Sequence, residues 1–335
     1  HEYNEKSHRP AEKTHFLYAE PHFFLAYFQE RFGIRGQKKK FYARNYTDFF
    51  IQVRANGQIL LEQEFDTIVR IHDPIQYNNT TGFNEDDFFS FELELPDYNG
   101  LTDIVFIEKN TLTELQSIPF HIRNERPLSK VAYIANLSTI ENYSSGFGLN
   151  SNYSAGKLPG RHIISKEYPF NNNTQKENLY CKHYGSIDYK LADFFRENGV
   201  KIDFVDTYQF DILLDNYDTI IFGVHDEYWP IKNYKIIQKF IDNGGDVITL
   251  GGNSAYKYMY DYGTHWEIEN EALPITRDFS FFENYWGSYY DAHGFNTYGP
   301  FKVDSNAINH PLLKDVPEYF GLTSPYACTS RGEGA

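Results

Sequence analysis

The fold of this chain is decided by four short apolar runs: Val131-Ala-Tyr-Ile-Ala-Asn-Leu137, Lys201-Ile-Asp-Phe-Val-Asp206, Thr219-Ile-Ile-Phe-Gly-Val224 and Asp246-Val-Ile-Thr-Leu-Gly-Gly252. Each run has the length and composition of a buried strand. Segments with a helical spacing of apolar residues lie between them, at Ile187–Asn198 and Ile231–Asp242, and glycine follows each segment closely. Strands that alternate with helices predict a parallel sheet with right-handed crossovers and helices on both faces. We therefore expect a doubly wound, flavodoxin-like α/β domain over residues 126–335.

The sequence between residues 39 and 125 has a different pattern, in which short alternating runs are separated by turn residues. Asp48–Arg54 and Phe88–Leu95 are two such runs, and Asn56-Gly57 is one such turn. Short strands at this spacing, without helical segments between them, predict an antiparallel β-sandwich of immunoglobulin-like size. The chain is thus expected to be a multidomain protein that combines an all-β and an α/β domain.

The two ends of the chain complete the predicted organisation. Residues 1–38 form an N-terminal extension, in which the aromatic stretch His15–Phe32 predicts a helix. A charged, proline-marked junction at Asn124-Glu-Arg-Pro127 separates the predicted sandwich from the predicted α/β domain. The C-terminal end, Arg331-Gly-Glu-Gly-Ala335, comes before a domain of this kind is expected to be finished.

Composition excludes several classes of function. The 335 residues include 31 Lys and Arg against 46 Asp and Glu, for a formal net charge of −15. This balance disfavours nucleic acid as a partner, because affinity for phosphate backbones comes mainly from clustered cations. No segment approaches the roughly 18 apolar residues of a membrane helix, so we expect a soluble protein with no membrane partner. Two cysteines decide neither a disulfide framework nor the cellular compartment.

Polar residues that follow the predicted strands are the candidates for function, since ligands of open parallel sheets bind at the carboxyl ends of the strands. His225-Asp-Glu-Tyr-Trp229 and Gly251-Gly-Asn-Ser254 occupy two of these exits. They place His225, Tyr228 and Asn253 at the expected edge. An amphipathic turn that only covers the sheet explains the first motif about equally well. The first motif lies in a corner like that of a nucleophile elbow but contains no cysteine or serine, which disfavours acyl-enzyme chemistry.

Tyr228 has a chemical use that its ordinary acidity does not suggest. A free phenol has a pKa near 10 and is a poor base at neutral pH. A bound trivalent metal stabilises the phenolate, which is a known oxygen ligand of iron. With 28 tyrosines in the chain, packing remains the ordinary role of any single one.

An ordered set of motifs indicates a family. Ile118-Pro-Phe-His-Ile-Arg123, the strand from Val131, Ser138-Thr-Ile-Glu-Asn-Tyr143, Asp188-Tyr189, His225-Asp-Glu-Tyr-Trp229 and Leu250-Gly-Gly-Asn253 follow one another along the chain. In this order they resemble the catalytic domain of the large (beta) subunit family of N,N-dimethylformamidase. The resemblance implies an immunoglobulin-like sandwich followed by a domain similar to class I glutamine amidotransferases, without their nucleophilic cysteine.

The same resemblance implies a mononuclear ferric iron held by two tyrosines and one glutamate. By position, Tyr228 and Tyr189 match the tyrosines, and Glu267 in His265-Trp-Glu267 is the candidate glutamate. Its spacing from Tyr228 is shorter than the family pattern. The sequence after Tyr256 also departs from that pattern, and Asn309–Val316 instead resembles a turn of trehalose-utilisation-type relatives of this fold.

Two functions are predicted from these features. The first is a metal-dependent amide hydrolase, in which His225 or His265 transfers a proton and Asn253 binds the developing oxyanion. The second is a noncatalytic protein that binds a glycan or a peptide on aromatic side chains. A small molecule or glycan is the expected substrate. A homo-oligomer and a small partner subunit both stay open.

Overall fold

Strands greatly outnumber helices in the part of the chain that the structure describes. This computed structural model describes residues 15–17, 24–44, 48–55, 57–65, 75–78, 81–84, 88–135, 137–143, 160–167, 191, 194–195, 197–223, 226–250, 254–255, 257–270, 285, 288–293, 301–303, 306, 309–320 and 326–330. The fold is a mixture of antiparallel and parallel sheets with few helices. None of the helices in these ranges is long and apolar enough to cross a membrane.

The N-terminal part packs two sheets face to face, in the orders β3-β11-β10-β5-β6 and β2-β4-β9. Alternating apolar residues on the facing sides form one core, in which the ring of Phe106 lies 5.2 Å from Phe24 and 5.6 Å from Phe41. The strands of the N-terminal part are β1 (His15–Leu17), β2 (Leu25–Tyr27), β3 (Phe32–Ile34), β4 (Lys38–Arg44), β5 (Phe49–Ala55), β6 (Gln58–Phe65), β7 (Ile75–Asn78), β8 (Gly82–Phe83), β9 (Phe89–Glu94), β10 (Gly100–Glu108) and β11 (Glu114–Arg123). Of these, β1, β7 and β8 form a third sheet in the order β1-β7-β8. The predicted β-sandwich is thus present as two packed sheets, and its immunoglobulin-like character stays a prediction.

The N-terminal extension differs from its prediction, because its described residues form the strands β1 to β3 and not a helix. The reason lies in β2 and its flanks. Phe24, Ala26 and Phe28 belong to the sandwich core. Leu25 and Tyr27 belong to a second core on the other side of the strand. A strand that is buried on both faces reads as a continuous apolar run, which periodicity cannot distinguish from a buried helix.

The second part of the chain contains the predicted parallel sheet, in the order β14-β12-β15-β17. On one face, Ile220 and Phe222 pack against Ile237 of a helix. On the other, Tyr133 and Ile221 pack against helical side chains that include Phe195. The elements are β12 (Val131–Ala135), α1 (Leu137–Tyr143), β13 (Gly160–Ser165), β14 (Asp203–Asp206), a 3-10 helix (Thr207–Ile212), α2 (Leu213–Asn216), β15 (Thr219–Phe222), β16 (Tyr228–Pro230), α3 (Ile231–Asp242) and β17 (Asp246–Thr249). Its likeness to amidotransferases stays a prediction.

A second sheet of four strands, in the order β13-β19-β18-β16, is not predicted from the sequence. It is called the small sheet below, after its edge strand of three residues. The Tyr228-Trp229 pair, expected in a corner between a strand and a helix, forms the edge strand of this sheet. Short antiparallel pairs, β20 with β23 and β21 with β22, follow later in the chain. The elements are β18 (Lys257–Asp261), β19 (His265–Asn270), β20 (Ser288–His293), β21 (Phe301–Lys302), a 3-10 turn (Pro311–Leu313), β22 (Tyr319–Phe320) and β23 (Tyr326–Ser330).

A buried carboxylate joins the sandwich to the parallel sheet. Asp203, the first residue of β14, is 2% exposed. It accepts hydrogen bonds from the Asn99 side chain at 2.9 Å and from the backbone N–H groups of Leu128 and Ser129 at 2.6 and 3.0 Å. Burial and the neighbouring Asp203 charge raise the pKa of the Tyr217 phenol above its ordinary value. Asp203 therefore fastens the segment that links the two parts of the chain.

The pH dependence of stability is expected to report on His121, a fully buried residue of β11. Burial lowers the pKa of His121 to about 3, the Arg123 charge adds to the shift, and the nearby Phe204 backbone opposes it. Between pH 6.5 and about 3 the unfolded chain binds a proton that the folded chain does not. The free energy of unfolding should therefore fall as the pH falls through this window, as measured by urea unfolding.

The substitution His121→Gln removes the group that takes up this proton. The free energy of unfolding should then depend less steeply on pH than in wild type. His310→Gln is the matched control, because His310 is exposed. The prediction is wrong when His121→Gln and wild type lose stability in parallel as the pH is lowered.

Candidate functional site

Three strand exits meet at the carboxyl edge of the parallel sheet. The exit of β12 contributes Ser138 and Thr139, the exit of β14 contributes Thr207, and the exit of β15 leads to Glu227 and Tyr228. Ser138, Thr139 and Thr207 are completely buried, and Tyr228 is 4% exposed. β12 pairs in parallel with both β14 and β15, so the three strands end at a common edge and their exits lie together.

Two hydroxyl groups of α1 hold the backbone of Tyr228. Thr139 Oγ1 accepts hydrogen bonds from the backbone N–H of Glu227 at 2.9 Å and of Tyr228 at 3.3 Å. Ser138 Oγ donates to the carbonyl oxygen of Tyr228 at 2.6 Å. We call these two side chains the Ser138–Thr139 clamp.

The clamp belongs to a larger network of buried polar groups. The hydroxyls of Ser138 and Thr207 lie 3.1 Å apart, and the Asn233 amide donates to the Thr207 carbonyl at 2.7 Å. Asn142 donates to the Ser138 carbonyl at 2.7 Å and contacts Met259 Sδ at 3.2 Å. The network therefore ties the exits of β12 and β14 to α3 and to the small sheet.

The ring of Tyr228 faces the N-terminal part of the chain. It belongs to a core that also contains Tyr27 and Tyr77 from the N-terminal strands and Trp266 from β19. Tyr208 stacks on Trp266 with ring centroids 5.1 Å apart and an angle of 11°. The side chain proposed as a ligand thus lies where the small sheet packs against the sandwich.

Glu267 and Tyr228 lie on opposite faces of the small sheet, so the register gives no support to their prediction as ligands of one metal ion. Lys257 pairs with Tyr228, Met259 pairs with Ile268, and Tyr260 pairs with Glu267. Because side chains alternate along a strand, Tyr228 shares its face with Ile268 and not with Glu267. The common core of Tyr228 and Ile268 agrees with this assignment. The register therefore does not bring the Tyr228 phenol and the Glu267 carboxylate to one ion.

His265 shares the face of Glu267, two residues away along β19. Its Nε2 lies 3.8 Å from Glu267 Oε1, and its Nδ1 lies 3.2 Å from Thr264 Oγ1. The ring of Tyr262 stacks on the imidazole at 5.1 Å and 6°. The predicted catalytic role of His265 beside Tyr228 therefore has no support from the register. The other predicted site residues, Tyr189, His225 and Asn253, lie outside the described residues.

The sequence prediction missed Lys257, which pairs with Tyr228 and lies on the same face. Burial lowers the pKa of its ammonium group to about 8, and the Glu227 carboxylate acts in the opposite direction. The local signal is a single lysine at the start of the aromatic run Lys257-Tyr-Met-Tyr260. Its meaning depends on strand pairing, which the sequence alone does not give.

Comparison with known families places the chain in one of them. A family model described as N,N-dimethylformamidase beta subunit-like, C-terminal, matches residues 92–268, more than half of the chain. The chain belongs to this family. The span includes the whole Ser138–Thr139 clamp and Tyr228, so the resemblance indicated by the sequence motifs is confirmed.

Other comparisons add little to the family assignment. No curated protein matches the chain. Among solved structures, the chain is similar to a carbohydrate acetylesterase from Xanthomonas citri, at 9% identity over 68% of this chain and 57% of that chain, with a TM-score of 0.18. The chain thus spans less than two thirds of the length of that structure, and a likeness at this level assigns no function.

The described residues do not complete a ligand set for the iron implied by the dimethylformamidase-like family. No group of three His, Cys, Asp or Glu side chains in these residues could hold a metal ion. Tyr228 is present at the carboxyl edge, but Glu267 faces the other side of the small sheet. The described residues therefore give no basis for a reaction step at the metal.

The reactivity of Lys257 gives a direct test of the edge geometry. With a pKa of about 8, its modification by acetic anhydride should reach half of its maximal rate near pH 8, as followed by peptide mass spectrometry. Glu227→Gln should move this midpoint to lower pH, since the Glu227 charge favours the protonated lysine. Lys302, whose side chain is 57% exposed, is the reference lysine. A midpoint that rises in Glu227→Gln would contradict the proximity of the two groups.

Proposed function

We propose that this chain hydrolyses an amide C–N bond at the carboxyl edge of its parallel sheet. Water adds to the carbonyl carbon, the C–N bond breaks, and a carboxylic acid and an amine leave. The observation that carries the proposal is the convergence of three buried strand exits on Tyr228, within the span matched by the family. Open parallel sheets bind their ligands at this edge.

The residue roles follow from the family resemblance and from position. Tyr228 and Tyr189 are the proposed iron ligands, and the third ligand is left open, because Glu267 lies on the other face of the small sheet. His225 is the proposed proton carrier, and Asn253 is the proposed hydrogen-bond donor to the developing oxyanion. The substrate is a small molecule or a glycan that carries an amide.

The noncatalytic alternative has less support from the described residues. A platform for sugars needs aromatic rings that are open to solvent. The tyrosines that gather near Tyr228, such as Tyr27 and Tyr77, are 2% and 0% exposed. Both pack against the ring of Phe83, so part of their surface is already covered. A hydrolytic site with a buried polar edge explains these features better than an aromatic binding surface.

The first test is amide cleavage by the full chain loaded with ferric iron. Formamide, N,N-dimethylformamide and acetanilide serve as probes, and the released amine or ammonia is measured. Wild type should cleave at least one probe, and Tyr228→Phe should lower kcat on the order of a hundredfold, because the iron that Tyr228 would hold would contribute several kcal/mol to transition-state stabilisation.

Tyr217→Phe is the matched control for this assay. Tyr217 is also a buried tyrosine, but it lies near Asp203 at the opposite edge of the parallel sheet. Its substitution should leave kcat unchanged in the folded protein. Failure of wild type to release amine from every probe would refute the proposed hydrolase.

The second test concerns the ligand set. Iron content by elemental analysis and the visible tyrosinate absorption band are compared in wild type, Tyr228→Phe and Glu267→Gln. Tyr228→Phe should lose both signals, whereas Glu267→Gln should keep both, since its carboxylate faces away from Tyr228. Equal losses in the two variants would return Glu267 to the ligand set, and equal retention would remove Tyr228 from it.

A further inference from the structure

Within the described residues, the strand of Tyr228 pairs with a single neighbouring strand. β16 is three residues long and forms the edge of the small sheet, where it pairs with β18. The Lys257 N–H donates to the Glu227 carbonyl at 2.9 Å, so this carbonyl points toward β18. Carbonyl groups alternate in direction along a strand, and the Tyr228 backbone groups therefore point away from β18. An edge strand normally leaves such groups to solvent, but Tyr228 is 4% exposed.

The Ser138–Thr139 clamp takes the place of the missing neighbouring strand. Thr139 accepts from the Tyr228 N–H, and Ser138 donates to the Tyr228 carbonyl. Both side chains are completely buried. Loss of either hydroxyl would leave a buried backbone group without its partner in the clamp, which is costly in a site closed to water.

The clamp also fixes where Tyr228 lies relative to the other exits. Ser138 contacts the Thr207 hydroxyl at 3.1 Å, and its carbonyl accepts from Asn142 at 2.7 Å. A purely apolar contact would keep Tyr228 buried but would allow it to slide along its neighbours. Directional hydrogen bonds fix both the position and the orientation of the backbone, and a displacement of about 1 Å at a reacting centre can cost a hundredfold in rate.

We infer that Ser138 and Thr139 are positioning residues for Tyr228: their hydroxyls set the location of this side chain in the site. This inference rests on the proposed function for its catalytic consequence, but the hold on the backbone can be measured without any activity. The two hydroxyls do not themselves act on substrate.

The experiment compares three variants of the full chain. Thr139→Val keeps the shape of the side chain and removes the acceptor, whereas Thr139→Ser keeps the hydroxyl. Thr102→Val is the matched control, because Thr102 is also completely buried and also uses its hydroxyl in a hydrogen bond, to the Phe120 carbonyl at 2.8 Å. It lies in the sandwich, away from the carboxyl edge.

Two quantities are measured in each variant. Residue-resolved hydrogen exchange follows the amide protons of Glu227 and Tyr228, and the amide probes give kcat and KM. In Thr139→Val, exchange at both amides should rise on the order of tenfold, and kcat should fall about a hundredfold with little change in KM. Thr139→Ser should restore both values, and Thr102→Val should change neither.

Unchanged exchange at Glu227 and Tyr228 in Thr139→Val would overturn the inference. A loss of kcat no larger than in Thr102→Val would overturn it as well, because the effect would then be one of general stability. Absence of cleavage by wild type would instead refute the proposed function, and the exchange measurement would still decide whether the hydroxyls hold Tyr228.

Discussion

The double burial of β2 is the constraint on which the arrangement of the molecule depends. One side of the strand places Phe24 and Phe28 in the sandwich core. The other side places Tyr27 in the core that contains Tyr228, where it stacks on Tyr42 at 5.0 Å and meets Phe88 edge-on at 5.1 Å. A fully buried aromatic side chain contributes about 1.5–3 kcal/mol. The sandwich is therefore continuous with the wall behind the candidate site.

A polar contact at the other edge of the parallel sheet completes this attachment. Asp203 begins β14, whereas Tyr228 follows the carboxyl edge, so the sandwich is joined to the second part of the chain at both ends of the sheet. The Asn99 amide reaches Asp203 from the turn before β10. A buried carboxylate is stable only with several donors around it, and three donors from two segments satisfy that demand. The apolar contact supplies free energy, and the polar contact sets the relative position.

Local sequence rules predict the elements well where the signal is local. α3 begins and ends where its apolar spacing predicts, because Tyr234, Ile237 and Phe240 recur every three residues and Gly244, with φ at +88°, ends the helix. The parallel sheet was predictable for the same reason. The small sheet was not, since β16 has only three residues and both β16 and β13 are defined by partners far along the chain. The aromatic run around β2 misleads because burial on two faces removes the alternation that identifies a strand.

The candidate site shows the same division between local and distant information. The exits that carry Ser138 and Tyr228 could be placed at one edge from topology alone. The pairing of Tyr228 with Glu267 could not, because the face of a side chain depends on register across three strands. The spacing of two residues between His265 and Glu267 puts them on one face, where they approach each other at 3.8 Å. Any protein group that binds an ion together with Tyr228 must therefore lie on the same face of this sheet as Tyr228, which is the face opposite to Glu267, or come from a segment outside the sheet.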